Sequence, residues 1–179
     1  MPLSWNEIKD RALAFANEWA DAKDEKSEAQ RFWIAFFDIF GFTKQRVIAF
    51  EHAITRQGAA YMGNRGWIDL LWPGVLLVEH KSRGKDLDKA YDQAVDYFAG
   101  LKERDLPRCV IVCDFARFRI YDLIDGTELQ FPLADLHRHI KRFGFIAGRA
   151  SCGAVSIARC TTYIRRTMKW RFFSPCRST

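Results

Sequence analysis

The sequence predicts an α/β (α+β) fold in which a mixed β-sheet is flanked by helices. Three observations carry that expectation. Apolar residues recur at helical spacing in two N-terminal segments. The run GWIDLLWPGVLLVEHK reads as two strands reversed at Pro73-Gly74, an antiparallel hairpin. A further amphipathic segment then separates that hairpin from the apolar run RCVIVCDF. A hairpin and a helical crossover in one sheet require both antiparallel and parallel pairs.

The elements follow in chain order. Ser4-Trp5-Asn6-Glu7 has the form of a capping box, and Ile8, Ala12, Phe15 and Trp19 continue it as a first helix running to about Ala22. The charged stretch DAKDEK reads as a loop. A second start signal at Ser27-Glu28-Ala29-Gln30 opens a helix with Phe32, Trp33, Phe36, Phe37 and Phe40 on a broad apolar face, closed by Gly41 at C′. Residues 47–53 are β-prone, and ITRQGAAYMGNRG after them is loop-like. Strands follow at 66–72 and 75–81, then a helix from Asp86 or Leu87 marked by Ala90, Ala94, Tyr97, Phe98 and Leu101. Strands at 108–115 and 118–123 and a last helix over 133–143 ending at Gly144 complete the order.

Composition narrows the class. With 49% apolar and 15% aromatic residues, the chain can bury a core without covalent staples. No apolar run approaches the roughly 20 residues that span a bilayer, and there is no signal-peptide pattern, so a cytoplasmic protein without a membrane partner is expected. Five cysteines without a C-x-x-C pair signal neither a disulfide framework nor zinc, and Cys109 and Cys113 read as small buried groups on one strand face. The net charge of +6 is local. Residues 149–179 hold seven of the 28 Lys and Arg and no acid, which leaves 21 basic against 22 acidic residues in 1–148.

One constellation carries chemistry. Asp69 stands within W-I-D-L-L-W, where an ionised carboxylate is costly unless paired. Glu79 and Lys81 close the neighbouring strand, and strand alternation turns them to one face and His80 to the other. Two carboxylates suit a hard divalent cation such as Mg²⁺, with Mn²⁺ able to substitute and the backbone carbonyl of His80 as a third protein ligand. Lys81 would hold or help deprotonate the attacking water at a phosphodiester. The bare pattern D-x9-E-x-K has free spacing and little specificity, and a solvated strand-end ion pair explains Glu79 and Lys81 equally well. Gln93 and Tyr97 lie one turn apart on the next helix, where both reach the same site.

This spacing resembles the PD-(D/E)XK nuclease superfamily, whose core order is similar to residues 27–115, and Gln93-x-x-x-Tyr97 resembles the Q-x-x-x-Y motif of its RecB-like branch. Longer segments, LSWNEIKDRALAFANEWADA, GWIDLLWPGVLLVEHKS, DLDKAYDQAVDYFAGLKERDLPRCVIVCDF and FPLADLHRHIKRFGFIAG, resemble the N-terminal nuclease domain of MmeI-type enzymes. Those type IIL restriction–modification proteins fuse nuclease, DNA methyltransferase and target recognition in one chain. The resemblance implies a PD-(D/E)XK restriction-endonuclease-like core and a Mg²⁺-dependent DNA endonuclease acting on double-stranded DNA. It implies Asp69 and Glu79 as metal-binding carboxylates and Lys81 as the catalytic lysine. Glu28 matches the helix acid that many members direct at the metal, and its alternative is an acid favoured by the helix dipole. Gln93 and Tyr97 would support the lysine or a phosphate, or form a buried polar contact beside the core.

The resemblance spans residues 1–148, so a nuclease domain is expected there and a basic, Cys-containing tail of doubtful fold at 149–179. Two readings of the tail stay open: an out-of-frame ending on a truncated gene, or a basic arm with Trp170, Phe172 and Phe173 as stacking surfaces. Neither a glycine-rich S-adenosylmethionine loop nor an N-P-P-Y type motif occurs, so methylation and base reading would need a separate methyltransferase/specificity polypeptide. The alternative function is a catalytically idle DNA-binding or assembly fragment working only with such a chain. His137 and His139 diverge at i and i+2 on a helix and suit a solvated face better than a metal. Lys85, Lys89, Lys102 and Arg104 are candidates for DNA backbone contact, or simply exposed charges.

Overall fold

The computed structural model describes residues 3–43 and 68–148. The strand expected at 47–53, the loop after it and the tail at 149–179 lie outside the described residues.

Helix α1 (Trp5–Glu18) starts on the expected capping box: Glu7 N donates to Ser4 Oγ at 3.2 Å and Ser4 N to Glu7 Oε2 at 2.7 Å. It ends at Glu18 rather than near Ala22. Helix α2 (Glu25–Asp38) opens two residues before the expected Ser27, because Asp24 takes the N-cap place and Ser27 Oγ donates to Asp24 Oδ2 at 2.6 Å. The end of the DAKDEK stretch is therefore helical. Gly41 closes α2 at φ +81°, with Gly41 N bonded to Asp38 O and Phe42 N to Phe37 O, the paired bonds of a Schellman motif.

The sheet has five strands in the spatial order of the chain: β1 (Leu70–Trp72), β2 (Leu76–His80), β3 (Cys109–Cys113), β4 (Arg117–Asp122) and β5 (Thr127–Pro132). Only β2 and β3 are parallel, joined through helix α3 (Leu87–Asp96), and the other pairs are antiparallel. The expected mixed sheet flanked by helices is present. Strand β1 begins after Asp69, not at 66, and β2 ends before Lys81, so both residues stand at the strand ends. Helix α3 stops at Asp96 and Tyr97–Gly100 continues as a 3₁₀ turn. Strand β5 has no counterpart among the sequence expectations, because Phe131 is its one fully buried residue and alternation is faint. The last helix is broken into 3₁₀ turns around a single α turn, α4 (Leu136–His139).

Every residue of β2 and β3 is buried, as strands covered on both faces must be. On one face, α2 and α1 pack an aromatic layer: Phe32 lies 4.9 Å from Phe15 and 5.2 Å from Phe115, and Phe36 lies 5.7 Å from Phe118 and 5.2 Å from Phe143. On the other face α3 covers β2 and β3, and Tyr91 stacks on Tyr121 at 3.8 Å. Cys109 and Cys113 are buried free thiols, as expected. Among the described residues no helix is long and apolar enough to cross a membrane. Truncating the ring at the centre of the aromatic layer, Phe32→Ala, is expected to cost about 3–5 kcal/mol. Urea unfolding checks this, and a loss under about 1 kcal/mol would mean the layer does not hold α2 to the sheet.

Candidate active site

At the open end of β2 the backbone brings three sequence-predicted groups together. The hairpin register pairs Leu70 with Val78, which sets Asp69 beside the chain at Glu79 and His80. Asp69 Oδ2 accepts from His80 N at 2.6 Å. One residue earlier on β2, Glu79 is 1% exposed and Oε1 accepts from Lys81 Nζ at 2.5 Å. Among the described residues Glu79 Oε2 is buried without a hydrogen-bond partner. A buried carboxylate with one satisfied oxygen is costly, because its other oxygen is left an unused acceptor.

Electrostatics follow from this burial. Desolvation pushes the Glu79 carboxyl up to about 8, the Asp69 charge adds to the rise, and Lys81 partly offsets it. Burial likewise raises Asp69 to about 6, against the pull of the His80 N–H and the Lys81 ammonium. Burial alone would lower Lys81, but the hydrogen bond to Glu79 and the charges of Glu79, Glu25 and Asp69 outweigh it and raise the group. Lys81 is thus held as an ammonium ion.

His80 turns to the α2 face, as alternation requires. Trp33 Nε1 donates to His80 Nδ1 at 3.1 Å, which leaves the ring proton on Nε2, buried without a partner among the described residues. Burial lowers its pKa to about 3, and the ring packs 4.1 Å from Phe115. Phe115 adopts φ +63°, a costly left-handed conformation for a bulky residue, at the turn that seats its ring.

Gln93 Nε2 donates to Tyr97 Oη at 2.7 Å. Burial pushes the Tyr97 phenol up to about 12, the Gln93 bond partly offsets this, and the charges of Glu79 and Asp69 reach it. The pair therefore lies on the site's α3 side. Glu28 does not join it. Its Oε2 accepts from Lys23 N and Asp24 N, both at 2.9 Å, so it caps its own helix, and those bonds lower its pKa. The acid that α2 presents to the site is Glu25, whose charge acts on Asp69, Glu79 and Lys81. Sequence reasoning missed it because the start of α2 was placed two residues late. Asp114 was missed too: it is fully buried, accepts from Gly84 N at 3.1 Å and pairs with Arg117 Nη2 at 2.6 Å. Its signal, an acid within the apolar VIVCDF, is the one that exposed Asp69. His137 and His139 diverge: His137 Nδ1 contacts Ala134 O at 3.0 Å and His139 stacks on Phe131.

Among the described residues no three His, Cys, Asp or Glu side chains converge as a metal cluster. The donors suited to a divalent cation are the carboxyl groups of Asp69 and Glu79. Hard oxygens and an unused Glu79 Oε2 fit Mg²⁺, which takes most of its shell from water and phosphate.

A mixed five-stranded sheet carrying the buried Glu79 carboxyl, the half-buried Asp69 and a lysine at one strand end defines an α/β domain with an acid–lysine site. Residues 10–151 match the family model described as MmeI, N-terminal domain, and the chain belongs to that family. No curated protein and no solved structure matches the chain.

Both carboxyls titrate higher when folded than their ordinary values of 4.5 for Glu79 and 3.8 for Asp69. A raised carboxyl stabilises the fold while protonated, so its contribution is present at low pH and is lost as pH rises through the folded value. Without a divalent cation, stability should therefore fall from about pH 4 to about pH 8. Thermal melts across that window check it, and Glu79→Gln should flatten the curve; an unchanged slope would refute the burial argument.

Proposed function

We propose that this chain is a Mg²⁺-dependent DNA endonuclease domain of a type IIL restriction–modification protein, hydrolysing phosphodiesters in double-stranded DNA. The observation that carries the reading is the buried Glu79 carboxylate, shared between Lys81 and an unused oxygen, with Asp69 beside it. Membership of the MmeI N-terminal domain family supports the restriction–modification setting.

In this reading Asp69, Glu79 and the His80 carbonyl hold the cation, which supplies charge stabilisation at the scissile phosphate. Lys81, kept as an ammonium by Glu79, orients the attacking water and a phosphate oxygen rather than removing a proton. Its charge faces the extra negative charge of the transition state, where a fixed cation is worth more than in water. Tyr97, protonated and held by Gln93, presents a hydroxyl to the same side. Neither base reading nor methylation is assigned to these residues, and both fall to a methyltransferase/specificity polypeptide.

Purified chain incubated with plasmid DNA and Mg²⁺ is expected to nick or cut it, with Mn²⁺ able to substitute. Lys81→Ala should lower the rate by about 10²–10³-fold. Equal cleavage by that variant would assign the activity to a contaminant, and no cleavage by the folded parent chain would favour an idle assembly fragment. By calorimetry, Asp69→Asn should weaken Mg²⁺ or Mn²⁺ binding by about tenfold or more, and unchanged binding would remove Asp69 from the ligand set.

A further inference from the structure

Beyond Lys81 the chain leaves the sheet, yet its next three residues are bound from two sides. Lys81 N itself donates to Cys113 O at 2.8 Å, the last bond of the chain to the sheet here. Ser82 N then donates to Glu25 Oε2 at 3.0 Å, and Glu25 N returns a bond to Ser82 Oγ at 3.4 Å. Arg83 N donates to Lys23 O at 3.2 Å, and its guanidinium reaches Ala22 O through Nε at 2.7 Å and Ala20 O through Nη2 at 2.6 Å. Gly84, at φ +82°, closes a tight turn with Lys85 N on Ser82 O, and its own N–H binds buried Asp114. Apart from the local Lys85 N–Ser82 O bond, these partners of Ser82 and Arg83 lie in the α1–α2 connection or at Glu25, the first residue of α2, more than 50 residues away in sequence.

We infer that this strap is the device that positions Lys81, with Arg83 and Glu25 as its positioning residues. The inference rests on the proposed role of Lys81 and deepens it. A lysine at a strand end has a flexible four-carbon stem, and holding its ammonium on one carboxylate oxygen requires a fixed backbone on both sides. The sheet fixes the side before Lys81. The α1–α2 connection fixes the side after it, because three of its backbone carbonyls, those of Ala20, Ala22 and Lys23, accept from Arg83. Glu25 acts here as an acceptor for Ser82 N–H, a task an amide oxygen performs equally well.

The full chain carrying Arg83→Ala, Glu25→Ala or Glu25→Gln separates this role from others. Two readouts are compared: acetylation of Lys81 by acetic anhydride, followed by peptide mass against exposed Lys89, and Mg²⁺-dependent plasmid cleavage. Arg83→Ala and Glu25→Ala should raise Lys81 acetylation several-fold and lower kcat by about 10–100-fold, with KM changed less than about twofold. Glu25→Gln, which keeps an acceptor for Ser82 N–H, should raise Lys81 acetylation less than Glu25→Ala does. Unchanged Lys81 acetylation in folded Arg83→Ala would overturn the inference. An equal rise in Lys81 acetylation from Glu25→Gln and Glu25→Ala would overturn it for Glu25, whose charge would then be what matters. If Arg83→Ala does not fold, the two Glu25 variants carry the comparison. Because acetylation does not require cleavage, a parent chain that cuts no DNA would defeat the endonuclease reading while the strap is still decided by labelling.

Discussion

Glu79 stands one residue before the end of a strand whose every residue is buried, and most of the site's geometry follows from the need to keep that carboxylate in place. Removing a charge from water costs several kcal/mol unless partners replace the lost hydration. Lys81 is the nearest partner, and the backbone holds the lysine where the pair can form. Asp69 shares the same end of the hairpin and is itself tied to His80 N, so two like charges are brought together. That juxtaposition adds to the effect of burial in raising the Glu79 carboxyl.

The surrounding layers are explained by what such a site requires. On the α2 face, Trp33, Phe32 and Phe115 enclose the neutral His80 ring and keep water from the back of the strand. On the opposite face, α3 and the 3₁₀ turn after it bring Tyr97 toward the two acids. Asp114 links the strap after Lys81 to the β3–β4 turn through Arg117, so the two parallel strands at the sheet centre are joined at the end where the site lies. Stability and placement of the site thus depend on the same contacts.

Much of this was legible in sequence because local chemistry was decisive. The capping box at Ser4, the Schellman closure at Gly41 and the Pro73-Gly74 reversal depend on residues within a few positions of one another. Asp69 and Glu79 stood out because acids in apolar strands demand a reason. Strand β5 escaped notice since an edge strand with one buried residue leaves little pattern. The start of α2 slipped by one cap, from Asp24 to Ser27 three positions on, because both are good caps and only the fold chooses between them. That slip is why Glu28 was matched to the site in place of Glu25.

The sequence by itself determined the class of sheet, the identity of Asp69, Glu79 and Lys81, and their common end of the hairpin. Register and alternation are short-range rules, and the hairpin spans only a few residues. Tertiary structure alone decided that Glu28 caps its own helix while Glu25 turns to the site. It also decided that Arg83 grips the α1–α2 connection and that Asp114 anchors Gly84. Apart from the local Glu28 cap, those contacts join residues about 30 to 60 positions apart, and nothing in a local pattern specifies which distant carbonyl or carboxylate a donor will meet once the chain is packed.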